Sequence, residues 1–198
     1  MTGAMQKRID SYIKGIRDTI VEAEHNHDIW WIYRSRDTRL KFIDVMERYV
    51  AFFETSKHAH FVAMIIALYR LYESRRDTIS LPHLLKLLDS DHSLSDDARN
   101  RVQELIQEAK PIWIKIGILR SEAFAHLSNE RDIEESSKKA DLKYRHFKDL
   151  IELSKRIINV ITHDYARSRH AFNLSAEFDT KALLMDLSTL WNQKNEKK

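Results

Sequence analysis

The chain contains no cysteine, and only three glycines and two prolines in 198 residues. Without cysteine there can be no disulfide scaffold and no thiolate metal site, which suits a reducing compartment. Glycine this scarce leaves no Gly-rich phosphate loop and no nucleophile elbow. The longest uninterrupted apolar run, Phe61–Tyr69, falls far short of the roughly 20 residues that span a bilayer as a helix. The opening MTGAMQKRID lacks the apolar stretch of a secretory signal. Charge of either sign is not in large excess: the net charge is +3, too mild to mark a nucleic-acid footprint by itself. The expected setting is cytoplasmic, with no membrane contact.

What is present is helix-forming. Apolar residues make up 43% and charged residues 32% of the chain, a balance that suits an all-helical globule, and no stretch alternates in the manner of a strand. One domain over residues 1–198 is expected, with a disordered tail at 192–198.

Ile9, Ile13, Ile16 and Ile20 recur by three and four and predict a first helix from Met5 to about Glu24. His25–Tyr33 breaks that stripe and is read as a connection whose two tryptophans cap the core. A helix over about Thr38–Ser56 is expected to bury Phe42, Val45, Tyr49 and Phe52. Phe61–Tyr72, apolar almost all round, predicts a helix surrounded by others. Ser80-Leu81-Pro82 reads as a helix start, since proline is tolerated where first-turn amides have no partner. Ser95 before Asp96 and Asp97 reads as another. Pro111 is expected to end or kink that helix and open a fresh one, followed by a polar loop over Leu127–Ala140. Tyr144, Phe147, Ile151, Ser154, Ile158, Ile161 and Tyr165 step by 3-4-3-4-3-4 along a helix of about 25 residues. Asp179 is expected to cap a last helix burying Leu183, Leu184, Leu187 and Leu190. The fold class is all-α, an antiparallel helical bundle with extra N-terminal helices.

One constellation carries chemical logic. Arg120 and His126 flank the spacer SEAFA at the point where the apolar segment from Ile112 turns polar. A guanidinium stays charged and grips phosphate oxygens bidentately, while an imidazole titrates near neutrality and can take or give a proton. Together they suit RNA cleavage without a metal or cofactor. Spacing alone is unspecific, for Arg156 and His163 make a similar pair on what reads as an exposed flank. On an ideal helix the Arg120 and His126 side chains stand about 120° apart. Either the arginine stem reaches round, or the helix loosens near Ala123–Ala125. The competing reading is that Arg120 pairs with a carboxylate and His126 merely ends a helix. His25/His27 and His58/His60, two apart, point away from each other on a helix and make no metal site.

In its context the segment LRSEAFAHLSN resembles the active-site segment of the HEPN superfamily, and the chain is most similar to AbiU-type abortive-infection proteins. The wider resemblance runs from about Leu40 to Leu190 and takes in FVAMIIALYRLYE, SLPHLLKLL, the long helix and FDTKALLMDL. It implies a helical bundle that forms a homodimer, with two Arg/His pairs at a shared cleft. It also implies metal-independent endoribonuclease activity on RNA in phage defence or a toxin–antitoxin setting, with an antitoxin or defence partner. By the same resemblance Arg120 is the motif arginine, His126 the motif histidine, and Ser121 stands where the family often has Asn or Asp. The alternative implied function is a non-catalytic helical dimer that binds RNA, a nucleotide or a protein partner.

Overall fold

The computed structural model describes residues 3–75, 77–125, 135 and 137–195, and among these the regular structure is helical throughout. In chain order the helices are α1 (Gly3–Arg34), α2 (Arg36–Lys41), α3 (Ile43–Arg48), α4 (Val50–Leu71), α5 (Leu81–Ser90), α6 (Asp96–Ala125), α7 (Tyr144–Ala166) and α8 (Ala176–Asn195). The fold is all-α among the described residues. None of these helices is long and apolar enough to cross a membrane. The chain divides into two compact units, Met1–Ala23 with Ile65–Phe172, and Glu24–Met64 with Asn173–Lys198.

The first unit is built on α6 and α7. Ser95, at the start of α6, gives its backbone N–H and its hydroxyl to Asp164 near the end of α7, at 2.8 and 3.0 Å. Farther along, Arg156 lies 4.0 Å from Glu108, and Lys115 meets Asp141, just before α7, at 2.7 Å. As one partner rises in number the other falls, so the two helices run antiparallel. The stepped stripe of α7 faces inward from Phe147 to Ile161: Phe147, Leu150, Ile151, Ser154, Ile157, Ile158 and Ile161 are buried, whereas Tyr144 at its start is 47% exposed and Tyr165 is half-buried. Against them lie Val102, Leu105, Ala109, Ile116 and Leu119 of α6, with the four isoleucines of α1 also buried. Both expected helix starts hold: Ser80 precedes α5 with Pro82 in its first turn, and the Ser95 hydroxyl accepts the Ala98 N–H.

One polar link runs through this interior. Ser154 donates to the Leu150 carbonyl at 2.7 Å, so the Tyr72 hydroxyl, 2.8 Å away, must donate to Ser154 Oγ. Burial pushes the Tyr72 phenol far above its ordinary value, which keeps it a donor. Tyr72→Phe leaves a buried acceptor short of a partner and is expected to cost about 1–3 kcal/mol in urea unfolding. Adding Ser154→Ala should cost little more. Two full, additive losses would show that the pair is not coupled.

The second unit packs Ile32, Tyr33, Phe42, Val45, Met46, Phe53 and Leu184 into a small core, with Ile29 and Leu187 at its margin. Here the structure corrects several expectations. His25–Tyr33 is no connection: α1 continues through it to Arg34. The stripe changes at Glu24 because the helix passes from one unit to the other there, so its neighbours change while its backbone does not. Of the two tryptophans, Trp30 is buried against Phe61 at 5.3 Å, whereas Trp31 is 41% exposed.

The helix expected over Thr38–Ser56 is interrupted at Phe42 and Tyr49. Each interruption turns the following residues, so Met46 and Phe53 take the inward positions, and Tyr49 (45% exposed) and Phe52 (60%) do not. The last helix begins at Ala176, where the Ser175 hydroxyl accepts the Glu177 N–H, three residues before the expected Asp179. It runs to Asn195, into the stretch read as tail, and residues 196–198 lie outside the described residues. Leu184 is buried, but Leu183 (50%) and Leu190 (56%) are exposed.

Pro111 does not end α6. An interior proline removes the bond to the carbonyl four residues back. Here that is Gln107, and both residues are exposed, so water can take the orphaned oxygen. The loop expected over Leu127–Ala140 falls largely outside the described residues, although 137–139 are helical.

Histidine burial sets a pH dependence. His60 Nδ1 lies 2.8 Å from Asn26 Oδ1, and burial holds this imidazole below the ordinary histidine value, as it does His146 and His170 in the first unit. Below about pH 6.5 the unfolded chain therefore binds more protons than the folded one. Stability is expected to fall as pH drops through that value, and to stop falling on this account below the folded values. The thermal midpoint should be lower at pH 5.5 than at 7.5, with part of the difference removed by His60→Gln. An equal or higher midpoint at pH 5.5 contradicts this.

Candidate functional site

The helical run of α6 to Ala125 fixes where Arg120 and Ser121 project. Trp113, Gly117 and Arg120 recur at i, i+4 and i+7 and share one stripe of the helix. Tyr69 of α4 lies along that stripe. Its ring stacks on the Trp113 indole at 5.5 Å, and its carbonyl accepts the indole N–H at 3.1 Å. Gly117 makes room for the ring: a Cβ there would come within 3.3 Å of Tyr69 Cε2. The Arg120 guanidinium carbon then stands 4.3 Å from the centre of the Tyr69 ring.

This arrangement restrains a long, otherwise mobile side chain through the face of an aromatic ring. Cation–π contact uses none of the five guanidinium N–H donors. Among the described residues Arg120 forms no ion pair, so the carboxylate partner of the competing reading is not found there. Arg120 is half-buried and Ser121 is exposed. The site thus offers a pre-oriented, permanently charged fork whose donors are unspent among the described residues, suited to the non-bridging oxygens of a phosphodiester.

The structure settles one of the two ways in which Arg120 and His126 could meet. The backbone stays helical through Ala125, so loosening at Ala123–Ala125 is not the route. His126 itself lies outside the described residues. Tyr69 was not foreseen as part of this site. Its only sequence signal is indirect, a glycine between an aromatic and an arginine on one stripe of α6.

His25 and His27 serve the fold. His25 Nε2 lies 3.2 Å from the Leu174 carbonyl, and His27 stacks on Trp31 with ring centres 6.5 Å apart. Among the described residues no three His, Asp or Glu side chains gather in a way that could hold a metal ion. Arg156 and His163 are both exposed on α7, as expected for the flank.

Comparison with known proteins gives one match: the family model described as AbiU2, of the HEPN type, covers residues 7–187. No curated protein and no solved structure matches the chain.

Proposed function

The chain belongs to the AbiU2 family of HEPN proteins, and from that premise we propose that it is a metal-independent endoribonuclease of abortive infection, acting as a cytoplasmic homodimer. The observation that carries this reading is the Arg120 guanidinium held over Tyr69, its donors unspent among the described residues, six residues before His126. His126 takes the proton from a ribose 2′-hydroxyl, and the 2′-oxygen forms a bond to phosphorus as the bond to the 5′-oxygen breaks. The 5′-oxygen takes a proton from water as it leaves and the protonated His126 gives its own back to solvent, so the products carry a 2′,3′-cyclic phosphate and a 5′-hydroxyl. Arg120 holds the non-bridging oxygens as charge grows on them, and the Ser121 hydroxyl supports it. The natural occasion is phage infection or release from an antitoxin, with cellular or phage RNA as substrate.

Dimerisation finds support in apolar side chains that the second unit leaves exposed, among them Phe52, Leu183, Met185 and Leu190. Wild-type protein should cleave RNA with EDTA present, and His126→Ala should not. Equal cleavage by the two proteins rejects the proposal.

A second reading, a non-catalytic RNA- or partner-binding dimer, is favoured by Ser121 in place of Asn or Asp. It expects no cleavage at any protein concentration, with binding weakened by Arg120→Ala and by salt.

A further inference from the structure

At the opposite end of α6 from Arg120, the faces of α6 and α7 and the segment 167–172 enclose an open groove of about 770 Å³. The segment is firmly held. Arg167 takes a left-handed conformation (φ 51°) that ends α7, and its N–H and that of Ser168 both bond to the Thr162 carbonyl. Asn159 then clamps His170 twice, its Oδ1 accepting the His170 N–H at 2.8 Å and its Nδ2 donating to the His170 carbonyl at 3.1 Å. The groove wall is therefore in place before any ligand arrives.

Its charges are unevenly spent. Asp164 is occupied by the amide and hydroxyl of Ser95, Glu152 by Lys155 at 3.1 Å, and Arg101 by Glu104 at 2.7 Å. Arg156 has only a 4.0 Å approach to Glu108. Arg167 and Arg169 are exposed, and among the described residues neither has a carboxylate partner. His170 adds a buried Nε2 with no hydrogen-bond partner among the described residues, and His163 lines the same groove. Phe172, half-buried, stands edge-on to His170 at 6.1 Å.

We propose that this groove binds the phosphate backbone of a single RNA strand, through Arg156, Arg167 and Arg169, with a base stacking on Phe172 by displacing Lys155, whose Nζ stands 5.6 Å from the ring centre. The cations are spread over α7 and the segment after it, and the groove is open to solvent. Both features fit a chain of charges better than one compact anion. Aromatic faces beside a cationic track are how single strands are held without sequence readout. The choice of RNA rests on the nuclease reading above; the anion site does not.

The test uses the full chain and a fluorescein-labelled 2′-O-methyl oligoribonucleotide, which cannot be cleaved through its 2′-oxygen. Wild type should bind it with an affinity that falls as salt rises. Arg167→Ala/Arg169→Ala should bind about tenfold more weakly, with a log K against log salt slope flatter by about 1.4, the change for two single-strand phosphate contacts. Affinity and slope equal to wild type overturn the proposal. A second measurement guards against a misfolded variant. In wild-type protein the strand should shift the imidazole C–H resonances of His163 and His170, and no shift also overturns it. So does a response to inorganic pyrophosphate with none to the strand. Because the strand is uncleavable, an inactive nuclease that binds it refutes only the catalytic reading. An active nuclease whose double variant binds like wild type refutes only the groove.

Discussion

His126→Ala is expected to slow RNA cleavage by about 10²–10⁴-fold, the usual contribution of a positioned general acid or base. Arg120→Ala should cost about 10²–10³-fold, comparable with removal of one pre-oriented donor to developing negative charge. Arg120→Lys distinguishes charge from shape: a lysine keeps the cation and loses both the planar fork and its fit over the Tyr69 ring. Its rate should stay close to that of the alanine variant. Tyr69→Leu keeps apolar bulk beside Gly117 and removes the aromatic face under the guanidinium. A loss of about 3–30-fold in kcat with little change in KM is expected, matching the range of a cation–π contact. The Arg120→Ala/His126→Ala protein should be scarcely slower than the worse single variant, because the two groups act on one transition state. Initial rates on 5′-labelled RNA, resolved on denaturing gels, measure all of these. Wild-type rates in the double variant would leave the pair without a catalytic role.

The parts of the fold that the sequence makes legible are those fixed by local chemistry. The stripe of α7 from Phe147 to Ile161 and the starts at Ser80 and Ser95 depend on spacing and on first-turn amides, both written within a few residues. Errors arise where the outcome depends on what lies beside the helix. The stripe of α1 changes at Glu24 because the neighbours change, and a change of neighbours reads the same as an end of helix. Pro111 is tolerated because Gln107 faces water, which no window of sequence reports. Tyr49 and Phe52 lose their inward places to Met46 and Phe53 through two backbone interruptions, at Phe42 and Tyr49. For the candidate site, Arg120 is legible from its motif, while Tyr69 beneath it belongs to another helix and is joined to it only by folding. The groove beside Arg167 and Arg169 has the same origin. Asp164 in its wall is occupied by Ser95 only because α6 and α7 are paired.

Leu184→Ala is expected to be among the most damaging substitutions in the chain. Leu184 is wholly buried among Ile32, Tyr33, Phe42, Val45, Met46 and Phe53, and it is the one large side chain of α8 to reach that core completely. Leu187 reaches only its margin. Truncating a buried leucine costs about 2–5 kcal/mol, the upper part of that range applying where the surroundings cannot collapse. Whole-domain stabilities are about 5–15 kcal/mol, so the loss is a large fraction of what holds this unit. Amide exchange in α8 should accelerate well before that of α7, since the affected contacts lie in the core of Glu24–Met64 and Asn173–Lys198. Leu183→Ala and Leu190→Ala change exposed side chains and should move the unfolding midpoint by no more than about 0.5 kcal/mol. If those two leucines meet a second copy of the chain, sedimentation equilibrium will record weaker dimerisation in variants whose monomer unfolds normally. Normal exchange in α8 of the Leu184→Ala protein would mean that this helix is held by something other than its one buried leucine.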